Sequence, residues 1–121
     1  MPTARITPGT NQDVTSAVLN NDYQAPVYAA TISPVIFAAR TVIGPIALTG
    51  ALTINPSIAQ SFIGDELALI FTNGTAGALV VTLGANVSSI GTLSVAAGKK
   101  GTIYAVFDGA TWVESGRAAT V

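Results

Sequence analysis

The chain has 121 residues and a mass of 12.2 kDa, enough for one folded domain and too little for two independent cores. It contains no Cys and no His, which excludes disulfides, thiolate nucleophiles, Cys/His zinc sites and imidazole acid–base catalysis. Its five basic and six acidic residues make up 9% of the chain, against about 25% in a typical soluble protein, and the net charge is −1.

The sparse charge predicts that other protein covers part of the surface. A folded monomer of this mass exposes roughly 6,000 Å², and so few charges leave much of that area uncharged and open to association. We therefore expect a subunit of an assembly. The same balance argues against nucleic-acid binding, because phosphates require clustered Lys and Arg and the sequence offers a single basic pair, Lys99-Lys100.

Residues 1–24 are predicted to form an extended N-terminal arm, because they are rich in Asn, Gln and Asp and show no sustained periodicity. The alternative for part of this segment is a short helix over Val14–Leu19 that is capped by Asp13. The arm also carries apolar side chains that a partner can bury, and these are the predicted partner-binding residues: Ile6, Val14, Val18, Leu19 and Tyr23.

No membrane or secretory segment is predicted. The stretches 41–64 and 67–98 are free of charge, but turn residues such as Gly44-Pro45 and Asn73-Gly74 interrupt them, whereas a spanning helix needs about 20 predominantly apolar residues. No apolar stretch follows Arg5, so we expect synthesis in a cytoplasm.

Residues 25–121 are predicted to form one β domain. Val, Ile and Thr together make up 38 of the 121 residues, and strong surface-helix formers such as Lys and Glu are scarce. From Ile46 the large apolar residues fall on even positions, Ile46, Leu48, Leu52 and Ile54, which is the period of a strand with one buried face. The runs 67–71 and 78–83 have few polar breaks, so they are the predicted central strands.

Turn residues separate these strands and predict their connections. Asn73-Gly74 and Asp108-Gly109 each lie between two apolar runs and favour hairpin turns. The strands follow one another at short, regular spacing. The sequence therefore predicts an all-β fold, a single-domain antiparallel sandwich or a jelly-roll-like domain, with the extended arm at its N-terminus.

The run from Gly64-Asp65-Glu66-Leu67 to Phe107-Asp108-Gly109-Ala110-Thr111-Trp112-Val113-Glu114 resembles β modules of tailed-bacteriophage virion proteins. Such modules occur in capsid decoration proteins, head fibres and tail-fibre tips, and the resemblance covers residues 40–117. It implies a homotrimeric structural protein on the capsid surface of a virion, with the major capsid protein or another virion protein as its partner.

Candidate sites for chemistry are few, and the sequence predicts no enzyme and no cofactor or metal. Asp65 and Glu66 are adjacent in a strand and so point to opposite faces, Asp108 fits a turn, and Glu114 lies in the last hairpin. Calcium ligation lacks an Asp-x-Asp-x-Asp-Gly loop. Lys99 and Lys100 form a basic turn, either solvated or facing acidic groups of a partner.

The rival hypothesis is a receptor- or glycan-binding module of a fibre tip. Tyr104 and Trp112 are its candidate glycan-binding residues, because exposed aromatic rings form stacking platforms. The alternative for Trp112 is a place at the end of the core.

Overall fold

A computed structural model describes residues 21–118, which form ten β-strands and no helix. None of the described residues thus belongs to a helix long and apolar enough to cross a membrane. The strands are β1 (Asn21–Gln24), β2 (Thr31–Ile32), β3 (Arg40–Leu48), β4 (Leu52–Ile54), β5 (Glu66–Asn73), β6 (Leu79–Leu83), β7 (Val87–Ser88), β8 (Leu93–Val95), β9 (Lys100–Phe107) and β10 (Trp112–Ala118).

The strands form a large sheet, in the order β1-β3-β5-β9-β10-β7, and a small sheet, in the order β2-β4-β6-β8. From β1 to β6 the chain alternates between the two sheets. Each of the strands β1 to β4 pairs in parallel with the strand two positions further along. This part of the chain therefore winds like a solenoid, in which each turn adds one strand to each sheet.

The C-terminal strands close this winding with antiparallel pairs. β9 pairs antiparallel with β5 and β10, and β8 pairs antiparallel with β6. The all-β prediction is confirmed. The expected antiparallel arrangement does not describe β1–β6, because all four pairings among these strands are parallel, and the β7–β10 pairing is parallel as well.

One apolar core lies between the sheets, and the period of two continues around the corners that join them. The large apolar residues of the run 46–54, Ile46, Leu48, Leu52 and Ile54, are all buried, yet β3 ends at Leu48 and β4 begins at Leu52. The run is thus two strands in different sheets, joined by the corner 49–51. Both strands face the same core, so the alternation is not interrupted at the corner.

Asn73 lies at a second corner between the sheets, at a position where the sequence predicts a hairpin. β5 and β6 lie in different sheets, so the hairpin prediction at Asn73-Gly74 is wrong. The buried Asn73 amide donates to the carbonyl oxygens of Gly77 and Val95, both at 2.8 Å, and its Oδ1 accepts from the backbone N–H of Thr75 at 2.9 Å. These bonds satisfy the polar groups of a buried side chain at the turn between the sheets.

The hairpin predicted at Asp108-Gly109 is confirmed, because β9 and β10 pair antiparallel on either side of it. Gly109 has a φ of +101°, a conformation that favours glycine. The Asp108 Oδ1 accepts from the backbone N–H groups of Ala110 and Thr111, both at 2.8 Å. The N–H donors of Thr111 and then Ala110 hold the pKa of this carboxyl below its ordinary value.

The predicted arm overlaps the sheet. Asn21–Gln24, which the sequence places in the arm, form β1 at one edge of the large sheet. The remaining arm residues, including the alternative helix over Val14–Leu19, lie outside the described residues.

Candidate interaction surface

The outer face of the large sheet carries two rows of side chains across its strands. In one row Tyr23, Val42, Ala68 and Tyr104 are paired in register across β1, β3, β5 and β9. The neighbouring row places Arg40, Glu66, Val106 and Val113 side by side across β3, β5, β9 and β10. Both rows face outward because the residues between them, such as Leu67 and Ala105, are buried in the core.

This outer face is unusually apolar for a surface that contacts water. Tyr23 is 63% exposed, Tyr104 is 51% exposed, and Val106 and Val113 are each 38% exposed. Tyr104, Val106 and Val113 lie on the adjacent strands β9 and β10, and Val42 and Ala68 occupy the row between Tyr104 and Tyr23. A contiguous patch of this kind marks an interaction surface more often than isolated exposed side chains do.

A shallow groove of about 290 Å³ runs across the centre of the face. Val42 and Ala68 lie among its lining residues, Tyr104 and Val106 line it on β9, and Ser115 on β10. A second depression of similar volume, lined by Tyr23, adjoins it and shares two lining residues, Arg40 and Val42. The two tyrosines are therefore three strands apart on one continuous concave surface, about 14 Å at the usual strand spacing.

One ion pair lies on this face. The Arg40 Nη2 is 3.3 Å from the Glu66 Oε2, and the side chains are 66% and 58% exposed. An exposed pair of this kind contributes at most about 1 kcal/mol to folding. Both charges are accessible to a partner.

The outer face of the small sheet differs in chemistry. Thr31, Thr53 and Thr82 are paired in register across β2, β4 and β6, and Ser94 on β8 also points outward. Val80 is the exposed large aliphatic residue of this face among the described strands. Hydroxyl groups on this face can hydrogen-bond to water, so it has no comparable apolar patch.

The structure separates the two aromatic residues of the glycan hypothesis. Tyr104 is exposed on the outer face of the large sheet, whereas Trp112 is fully buried in the core. The Trp112 ring centroid lies 5.2 Å from that of Phe107, and its Nε1 donates to the carbonyl oxygen of Ser57 at 3.0 Å. A buried ring has no face free for a sugar. Trp112 is therefore a core residue, as the alternative hypothesis for it expects.

Of the predicted partner-binding residues, Tyr23 lies on the outer face of the large sheet. The other four, Ile6, Val14, Val18 and Leu19, are outside the described residues. Tyr23 therefore joins Tyr104 on one surface, a juxtaposition that the sequence analysis does not predict.

The carboxylates take up separate structural positions. Asp65 is buried and accepts from the backbone N–H of Phe62 at 2.8 Å, while Glu66 points outward to Arg40. The two side chains lie on opposite faces, as expected for neighbours entering a strand. Among residues 21–118 there is no group of three or more acidic residues that is placed to hold a metal ion.

Glu114 forms an ion pair that the sequence analysis does not anticipate. The Arg117 Nε and Nη2 donate to its two carboxylate oxygens at 2.6 and 2.7 Å. Arg117 also donates to the carbonyl oxygens of Thr92 and Gly91, at 2.8 and 2.9 Å. The hydrogen bond from Arg117 is the main reason that the Glu114 pKa is lowered, and the network fastens the β7–β8 loop to β10.

No protein-family model matches the chain, and no curated protein matches it significantly. The surface chemistry is therefore the basis for a functional assignment. Aromatic and aliphatic side chains with one exposed ion pair support non-covalent binding.

The sequence does contain a signal for this surface. The run Ile103–Phe107 has no polar residue, although a strand with one solvated face should alternate. Its outward residues, Tyr104 and Val106, are at the centre of the apolar face. An unbroken apolar strand in the large sheet is thus the pattern that predicts a covered outer face.

Proposed function

We propose that this chain is a non-enzymatic structural protein of a virion, a capsid decoration protein that forms homotrimers and docks on the capsid surface. The observation that carries the proposal is the contiguous apolar outer face of the large sheet on a chain with little charge. Such a face is stabilised when another protein covers it. The resemblance of residues 40–117 to phage virion modules supports the virion as the location.

Docking on the major capsid protein is assigned to the N-terminal segment and self-association to the sheet. Ile6, Val14, Val18 and Leu19 offer apolar side chains outside the β domain, each contributing about 1.5–3 kcal/mol if fully buried, before the entropy cost of ordering. Three such segments in one trimer would act together and raise the avidity for a symmetric shell.

The test is the composition of purified virions. Particles from the host that carries this chain are purified, and the number of copies per capsid protein is measured by quantitative mass spectrometry. We expect a fixed stoichiometry, with labelled protein visible on the capsid by electron microscopy. Absence of the chain from purified particles overturns the proposal.

A matched pair of variants tests the docking assignment. Leu19→Asp in the full chain is expected to lower particle occupancy at least tenfold, whereas Thr53→Asp on the small sheet leaves it unchanged. Equal occupancy for both variants contradicts a role for the N-terminal segment.

The alternative function is glycan recognition by a fibre tip. The exposed Tyr104 beside the groove favours it, and Tyr23 replaces Trp112 as the second aromatic residue. Titration with oligosaccharides of host surfaces, followed by chemical shift changes at Tyr104, tests it. Saturable shifts that Tyr104→Ala abolishes would support the glycan module.

A further inference from the structure

We infer that the outer face of the large sheet is the surface through which copies of this chain join. This inference rests on the proposed self-association and names the surface that performs it. The proposed surface contains the two rows of outward side chains already described, with Tyr23, Val42 and Tyr104 in one row and Val106 and Val113 in the other.

The sheet edges are poor alternatives for joining copies. Among the described strands, the outermost ones are short: β1 has four residues, β8 has three, and β2 and β7 have two each. Short edge strands expose few unpaired backbone groups to a further strand. Association through a face is therefore favoured over strand addition.

The size of the face suits a stable interface. The long strands β3, β5, β9 and β10 have nine, eight, eight and seven residues. At the usual strand spacing and rise, their outer face covers on the order of 500 Å² as a flat area, and more as accessible surface. A standard protein interface buries about 800 Å² per partner, so the face supplies most of the area of one such interface, which the two neighbours of each copy in a cyclic trimer share.

The residues of the face are arranged as in a protein interface, with apolar residues inside and polar residues at the rim. Tyr104 and Val106 lie on the inner strand β9, and interface cores are enriched in aromatic residues, whereas the charged Arg40 and Glu66 lie at the end of the face where β3 and β5 begin. Polar residues follow towards the beginning of β9, where Thr102 and Lys100 point outward. Lys100 lies two rows from Tyr104, at the rim, where it can stay hydrated.

Charge complementarity favours a second copy as the occupant. Arg40 and Glu66, the first residues of β3 and β5, give one end of each face a cation and an anion, both more than half exposed. Because this pair is exposed, Arg40 of one copy can also meet Glu66 of the next, so a second copy brings an opposite charge to each group. A strongly charged partner would leave one of these two groups facing a like charge.

A sugar fits this surface less well. The groove lining between the tyrosines includes Val42 and Ala68, whose side chains offer no hydrogen-bond donor or acceptor to sugar hydroxyls. Hydroxyls covered by such a floor lose their bonds to water without replacement, which is costly. The aliphatic surface of a neighbouring copy has no such cost.

The experiment measures the mass of the full chain by sedimentation velocity at micromolar concentration. We expect the wild type at the mass of three chains, and Tyr104→Lys and Val106→Lys to raise the dissociation constant at least a hundredfold. Thr53→Lys is the matched control on the outer face of the small sheet and should keep the wild-type mass. Circular dichroism checks that each variant folds.

A charge exchange tests the pairing independently of apolar burial. Arg40→Glu and Glu66→Arg should each weaken association at least tenfold, and an equimolar mixture of the two variants, in which opposite charges meet only between copies, should associate more tightly than either variant alone. If all face variants keep the mass of an oligomeric wild type, this inference is overturned while self-association stands. A wild type that is monomeric at all concentrations overturns both, and saturable oligosaccharide binding would then assign the face to glycans.

Discussion

The two sheets have similar inner faces and very different outer faces. Inward residues of both sheets, such as Phe71 and Val81, are fully buried in one core. Outward, the small sheet presents a threonine row, Thr31, Thr53 and Thr82, whereas the large sheet presents tyrosines and valines. The small sheet shows that a sheet of this fold can carry hydroxyl groups on its outer face. The apolar outer face of the large sheet is thus more than folding requires, and this difference is the basis of the proposed self-association.

The largest expected effect is the difference in the free energy of unfolding between a substitution on the inner side and one on the outer side of the large sheet. Phe71→Ala should lower the free energy of unfolding by about 3–5 kcal/mol, because it leaves a cavity in the core. Val106→Thr on the outer side should change it by less than about 1 kcal/mol. Both are made in a Tyr104→Lys background to keep the chain monomeric, and unfolding by urea is followed by the fluorescence of the single Trp112. Equal losses would mean that the outer face belongs to the fold.

The second effect compares the two ion pairs. Arg117→Gln should cost about 2–3 kcal/mol, because it removes a two-pronged pair and leaves Glu114, whose side chain is 5% exposed, without its partner. Arg40→Gln should cost less than about 1 kcal/mol in the monomer, since its pair is exposed. Urea unfolding of both variants measures the difference. A large loss from Arg40→Gln would contradict its assignment to association.

The smallest effect is a pH dependence. The hydrogen bond from Arg117 lowers the Glu114 pKa in the folded state. The ionised carboxylate therefore contributes fully to the free energy of unfolding above the ordinary glutamate pKa, about 4.3. This contribution is lost as the pH falls through the pKa of the folded state. The stability difference between wild type and Glu114→Gln should therefore shrink as the pH falls below about 4. A constant difference between pH 7 and pH 3 would show that the ion pair does not cause it.

Several strand positions and the β9–β10 hairpin could be predicted from sequence, but the parallel pairings and the strand β1 could not. The alternation in 46–54 identifies inward residues correctly, because the period of two holds in either sheet. The same alternation hides the corner 49–51, where the chain changes sheet without changing which residues face inward. Asn73-Gly74 looks like a hairpin turn because a tight turn and a corner between sheets use the same residue types. Parallel pairing then depends on contacts between strands distant in sequence.

The candidate site was predictable only in its parts. Tyr23 is a candidate because it is an apolar residue of the predicted arm. Tyr104 is a candidate because an exposed aromatic ring can stack on a sugar. Their common face follows from the register of β1, β3, β5 and β9, which no local pattern encodes. Trp112 has the same aromatic signal and is buried, because it faces inward in β10.

Chemical modification of the three tyrosines tests the central claim most directly. Tyr23 and Tyr104 lie on the outer face of the large sheet, while Tyr28 donates its hydroxyl to the carbonyl oxygen of Ala51 and packs against the core, which makes it an internal reference. Nitration rates are measured by mass spectrometry across a concentration series that spans dissociation of the assembly. We predict that Tyr23 and Tyr104 become protected together, at least fivefold, as copies associate, while Tyr28 does not change. An assembled protein in which Tyr104 reacts as fast as in the monomer would contradict the account.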